Sequence, residues 1–194
     1  MPVSLQKGGN VSLTKEAGGQ LSNVMVGLGW DERGTSGEKF DLDASAFAVD
    51  ASGKAAGDSW FVFYNNLASP DGTIVHTGDN RTGAGDGDDE SINVDLANLP
   101  PTIEKVIVTV TIDEWETNKL NFGSVQNAFI RIVDLATGQE LARYDLGDEF
   151  SLEVAVIFGA LYRKDGEWKF QAIGQGYNNG LAGLCADYGI ALAA

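Results

Sequence analysis

The stretch from Lys105 to Ile112 admits one reading. Val106, Val108, Val110 and Ile112 fall on one face, with Ile107, Thr109 and Thr111 on the other. β-branched side chains crowd the segment, and they favour a pleated strand over a helix. The same period of two runs from Asn23 to Trp30, where Val24, Val26, Leu28 and Trp30 alternate with Met25, Gly27 and Gly29. Shorter runs predict strands over 40–49, 59–64, 92–95, 128–133, 140–145, 151–162 and 168–172. Turn residues separate them: Ser52-Gly53, Pro70-Asp71-Gly72, Pro100-Pro101, Thr137-Gly138 and Asp165-Gly166. Ser69-Pro-Asp-Gly72 and Lys164-Asp-Gly166 have the chemistry of hairpin turns. Helical periodicity is sparse. Leu181, Leu184, Cys185 and Tyr188 form one stripe, opened by Asn178-Asn179 and closed by Gly189. Phe122, Val125 and Phe129 allow one further short turn of helix. Many short strands with few helices predict an all-β fold: a two-sheet antiparallel β-sandwich with a few short peripheral helices, including a C-terminal one.

A length of 194 residues fits a single domain over 1–194, and 43% hydrophobic residues suffice for a sizeable core. Thirteen basic against 28 acidic residues give a net charge of −15. That surface repels nucleic acid and anionic lipid, and attracts cations or basic partners. One cysteine, Cys185, and one histidine, His76, build neither a disulfide nor a thiolate or imidazole metal centre. The first ten residues lack the apolar run of a signal peptide, and the longest apolar stretches are too short to cross a bilayer. A soluble intracellular protein is expected.

The acids are unevenly placed. Asp86, Asp88, Asp89 and Glu90 stand almost side by side, Asp79 a little earlier, with Arg81 alone opposing them and glycines at 83, 85 and 87 between. Gathered carboxylates repel by about 1 kcal/mol per close pair even in water. Such a loop therefore needs open solvent or a counter-cation. Ca²⁺ suits it, accepting six to eight oxygens in irregular geometry at about 2.3–2.6 Å, whereas Mg²⁺ demands an octahedron. The spacing is not that of an EF-hand: Arg81, Gly83 and Ala84 occupy the third, fifth and sixth places after an Asp79 start. A second cluster comprises Asp31, at a strand end, with Asp41 and Asp43, which share one face of the next strand. Neighbouring carboxylates on one sheet face are destabilising unless a cation bridges them. Two clusters at strand-to-loop junctions point to calcium at one end of a sandwich.

These same residues carry a family resemblance. Gly27-Leu-Gly-Trp-Asp31, Phe40-Asp-Leu-Asp-Ala-Ser-Ala46, Phe63-Tyr-Asn-Asn66, Ser69-Pro-Asp-Gly72, His76-Thr-Gly-Asp-Asn-Arg-Thr-Gly83 and Gly85-Asp-Gly-Asp-Asp-Glu90 resemble the TerD family of tellurium-resistance and stress proteins. Phe129-Ile-Arg-Ile132, Trp168-Lys-Phe170 and Gly174-Gln-Gly-Tyr177 extend the likeness over nearly the whole chain. The resemblance implies a bacterial, cytoplasmic, non-catalytic β-sandwich that binds two or more Ca²⁺ ions and serves tellurite resistance and general stress response as a scaffold or sensor. It also implies other stress or tellurite-resistance proteins as partners. Carried over to matching positions, the metal ligands are Asp31, Asp41, Asp43, Asp79, Asp86, Asp88, Asp89 and Glu90, with the Asn66 amide oxygen in addition. The alternative is a small-ligand or cyclic-nucleotide-binding module in which calcium is structural.

Other candidates read as structure. His76 has no nucleophile in a Gly-x-Ser-x-Gly elbow beside it and reads as a surface or loop-bracing side chain. Cys185 lies on the apolar stripe of the last helix and reads as core. Gly174–Gly180 lacks the Lys-Ser/Thr ending of a phosphate loop and reads as a strand-to-helix turn. Trp30, Trp60, Trp115 and Trp168 read as core or core-edge residues, and Asp95, Asp134 and Asp145 as solvated or turn-forming acids. Glycoside hydrolysis needs an acid in an apolar pocket, which a glycine–aspartate loop does not offer.

Overall fold

The computed structural model describes residues 1–31, 41–78, 87–147 and 149–192. Two six-stranded sheets face each other. The first takes β1 (Val3–Leu5), β10 (Glu140–Asp145), β9 (Gln126–Asp134), β3 (Asn23–Asp31), β7 (Glu90–Asp95) and β6 (Ile74–His76), in that spatial order. The second takes β2 (Asn10–Ser12), β12 (Glu167–Tyr177), β11 (Ala155–Lys164), β8 (Lys105–Ile112), β4 (Leu42–Val49) and β5 (Phe61–Val62). All pairings are antiparallel except β1 with β10. The predicted sandwich is the observed one.

Alternation builds the core. Val24, Val26, Leu28 and Trp30 of β3 and Ile130 and Ile132 of β9 face Leu42, Ala44, Ala46 and Ala48 of β4 and the even-numbered residues of β8, all buried between the sheets. At roughly 1.5–3 kcal/mol for each large aliphatic or aromatic side chain, this burial is the main stabilising term. β8 is buried on both faces because both are covered. On its other side Ile107 joins Phe47, Phe61, Ala155 and Ile157 under α3 (Gly180–Tyr188), which adds Leu184 and Cys185. Gly189, with φ 73°, ends α3 as the glycine signal predicted, although Asn179 stands at its start without a side-chain cap hydrogen bond. Two short helices are new: α1 (Leu13–Glu16), capped by the Ser12 hydroxyl, and α2 (Trp115–Asn118). Phe122–Ser124 is a single 3-10 turn where a turn of helix is predicted.

Several corrections concern lengths. The run read as a strand over 59–64 is a 3-10 turn, Asp58–Trp60, followed by the two-residue β5. β11 starts at Ala155 rather than 151, and Ile173–Tyr177 extend β12. β1, β2 and β6, three residues each, were not predicted. Among the described residues, no helix is long and apolar enough to cross a membrane.

Candidate functional site

Register fixes which strand ends meet. Leu28 pairs with Glu90 and Asp31 with Gln126, so the end of β3 lies beside the starts of β7 and β9. In the other sheet Leu42 pairs with Ile112 and Ala155 with Thr111, and the Asp113 amide donates to the Asp41 carbonyl at 2.8 Å. The two sheets present these ends at one pole, because Glu90 of β7 accepts a hydrogen bond from the Ala44 amide of β4 at 2.6 Å. Among the described residues, Asp31, Asp41, Asp43, Asp88, Asp89, Glu90, Asp113, Glu114 and Glu116 lie on or next to these strand ends, and Asp145, Glu149 and Glu153 lie between the end of β10 and the start of β11.

The predicted ligands are disposed as follows. Asp31 is exposed at the end of β3, and its carboxylate accepts a hydrogen bond from Asn127 Nδ2 at 2.5 Å. Asn127 has a left-handed backbone (φ 53°), which aims its amide across the irregular β3–β9 register between Gly29 and Asp31. Asp43 is buried on the outer face of the second sheet, on the side of α3, in register with Thr111. Asp41 is half-buried just ahead of β4. Asn66 lies in the turn after β5, and its Nδ2 donates to the carbonyls of Ser59 and Phe61. Asp79 and Asp86 lie outside the described residues.

Asp88, Asp89 and Glu90 are consecutive but go three ways. Asp88 turns back over the first sheet onto Arg131 of β9, with Nε–Oδ1 2.8 Å and Nη2–Oδ2 2.9 Å. Asp89 accepts from the Trp30 amide at 2.9 Å, while its own amide donates to Leu28 at 2.8 Å. Glu90, 2% exposed, joins the two sheets through Ala44 and lies 3.4 Å from His76 Nε2. His76 is buried rather than on the surface, and its Nδ1 accepts from the Gly78 amide at 3.0 Å, which makes it a brace at the loop's entry. That bond leaves the proton on Nε2, facing Glu90.

Sequence reasoning overlooked two features of this pole. Asp113, Glu114 and Glu116 leave β8 as an acidic run and line a groove of about 340 Å³ beside Asp43, with Asn179 of the α3 approach opposite. Their signal was available, since they follow the most regular strand in the chain. The second feature is Arg131, which shares an outward face with Asn127 and Phe129. Asp88 raises its pKa above the ordinary arginine value, by hydrogen bonding first and by charge in addition. Beside these lies a cavity of about 810 Å³, with Phe122 and Phe150 buried at its base and Gln126, Asn127 and Ser151 exposed around it.

The donors gathered at this pole are carboxylate, amide and carbonyl oxygens, the chemistry a hard cation takes. Among the described residues, no three of His, Cys, Asp and Glu converge on one point as a closed metal site. The sequence pattern of the TerD domain matches residues 1–188. The chain belongs to the TerD family. It is 57% identical over 190 residues to tellurium resistance protein TerD of Serratia marcescens, covering 98% of each chain. It is 52% identical over 191 residues to general stress protein 16U of Bacillus subtilis, again covering 98% of each. Among solved structures, it superposes on a Streptomyces coelicolor homologue of the telluride resistance protein TerD with a TM-score of 0.68 at 26% identity, over 86% of this chain and 96% of that one. These TerD relatives bear the names of resistance and stress proteins, not of enzymes.

Proposed function

We propose that this member of the TerD family is a non-catalytic, calcium-binding scaffold or sensor of the tellurite-resistance and stress response, acting in the cytoplasm with other proteins of that response. One observation supports the reading: strand register brings acid-bearing strand ends of both sheets to a single pole. Asp31, Asp41, Asp43, Asp89 and Glu90, together with Asp79, Asp86 and the Asn66 amide oxygen, are the proposed donors. Asp88 belongs to this set only if it exchanges Arg131 for the metal. When bound, Ca²⁺ supplies positive charge, roughly +4 for two ions, where carboxylates otherwise repel. The strand ends then keep the donors in place, and the loops between them are what a partner reads. A second reading rests on the cavity beside Asn127, which offers a small molecule an apolar base and an amide rim.

Binding to the native state alone raises stability by about 2.7 kcal/mol at a free ion concentration one hundred times Kd. The melting temperature is therefore expected to climb with Ca²⁺, to respond less to Mg²⁺ and to fall back in EDTA. A melting curve indifferent to all three would remove the calcium reading. Asp43→Asn is expected to weaken calcium binding measured by calorimetry. Titration with cyclic nucleotide, with and without Ca²⁺, tests the second reading.

A further inference from the structure

We infer that Asp88 is a strut rather than a metal ligand, and that Arg131 is the positioning residue that fixes where the acidic loop rejoins the sandwich. The inference rests on the calcium reading above and deepens it.

Its basis is a cradle built for the Asp88 carboxylate. β3 runs under that carboxylate with Gly27, and a Cβ there would lie 2.4–2.5 Å from the Asp88 carboxyl atoms. Arg131 is the register partner of Gly27 on β9, so its side chain reaches across the missing one. The guanidinium takes both carboxylate oxygens: Nε at 2.8 and 3.1 Å, Nη2 at 2.9 Å. The remaining nitrogen, Nη1, is held by Glu140 of β10 at 3.1 Å, which locks the fork in plane. The Asp88 side chain is 10% exposed. A bidentate arginine–carboxylate pair whose carboxylate is largely desolvated has a fixed geometry and few open lone pairs. Calcium would have to break it and strand the guanidinium. The acids that follow are set by this anchor. With Asp88 pinned outside the first sheet, the chain brings Asp89 onto the Trp30 amide and Glu90 inward to the Ala44 amide. Arg131 thus acts on the ion-binding segment without touching the ion, one step further out than the residues bonded directly to a ligand, whose loss typically costs about 10–100-fold in metal affinity.

Two experiments on the full-length chain decide it. In the first, the Nε–H resonances of arginine are recorded by NMR in EDTA and in saturating Ca²⁺, with Arg131 assigned from its loss in Arg131→Lys. The expected result is a carboxylate-bonded Arg131 signal that stays put when calcium is added. Its return to the free-arginine position would show Asp88 transferring to the metal and overturn the inference. In the second, calorimetry compares Asp88→Asn, Arg131→Met and the double variant. Each single substitution is expected to weaken calcium binding roughly tenfold at unchanged stoichiometry, with the double no weaker than the worse single. A lost site in Asp88→Asn, with tighter binding in Arg131→Met, is the opposite outcome and the mark of a ligand. A silent titration of the unsubstituted chain would overturn the calcium reading, and the inference with it. That failure is distinguishable, because melting in EDTA would still show the two singles lowering stability by equal, non-additive amounts.

Discussion

Gly29 and Cys185 show how far single residues can be read. A Cβ on Gly29 would sit 2.4 Å from the Phe129 ring and 3.0 Å from the Gly87 carbonyl. The Arg143 guanidinium covers the ring at 3.8 Å, so a ring displaced by the new methyl gives up that contact. Gly29→Ala is therefore expected to destabilise by about 1–3 kcal/mol, the usual result of overpacking, measured by urea unfolding. From sequence alone, Gly27 and Gly29 were only the small members of an alternating strand. That small residues make room for Asp88 and Phe129 depends on partners that lie 61 and 100 residues further along the chain, which spacing does not reveal. Cys185 was legible, because a helical stripe places it inward. It is 1% exposed, and burial pushes its thiol up to about 11. At pH 8 roughly one thiol in a thousand is ionised. The native chain is expected to resist Ellman's reagent until denatured; stoichiometric reaction within minutes in buffer would contradict this placement and reopen direct thiol chemistry with tellurite.

At the level of elements, legibility followed length. β8 and β10 occupy the residues that alternation predicts, whereas β1, β2, β5 and β6 span two or three residues, too few for a period of two to register. Those short strands are the edges of both sheets, so brevity is itself informative: a short edge offers little backbone to a foreign strand. The turn ahead of β6 was readable from its chemistry. Gly72 has φ 75°, its amide donates to the Ser69 carbonyl, and Asp71 accepts from the Ser69 hydroxyl and from both the amide and hydroxyl of Thr73. Burial works to raise the Asp71 pKa, but these hydrogen bonds outweigh it and hold it below the ordinary 3.8. A folded-state pKa below the unfolded one means the charged form stabilises the fold above pH 3.8, and that support fades as the pH drops through the lower, folded value. Asp71→Ala is expected to cost about 1 kcal/mol at pH 7, measured by urea unfolding, and Asp71→Asn less. The gap between Asp71→Asn and the unsubstituted chain is expected to close in strong acid; a gap that widens there would invert the sign.

Across the whole molecule, the acidic pole is the property that no single strand or residue announces. Two of its clusters were visible as local runs, but the meeting of the strand ends that carry them is a product of strand register, as is the addition of Asp113, Glu114 and Glu116. Repulsion at such a pole is screened by salt, with a Debye length of about 10 Å at 0.1 M. The opposite end mixes signs, with Glu104 beside Lys105 on the exposed approach to β8. Removing one charge from each end therefore separates local crowding from net charge, because both substitutions change the total of −15 equally. In EDTA and low salt, Glu116→Gln is expected to raise the melting temperature by about 1–2 °C, a few tenths of a kcal/mol, while Glu104→Gln leaves it unchanged or lowers it. In 0.5 M NaCl the Glu116→Gln gain is expected to vanish. At fixed ionic strength, saturating Ca²⁺ is expected to remove it as well, because the bound charge relieves the same crowding. Equal gains from the two variants would show a uniformly charged surface instead, and the case for a cation at one pole would lose its physical basis.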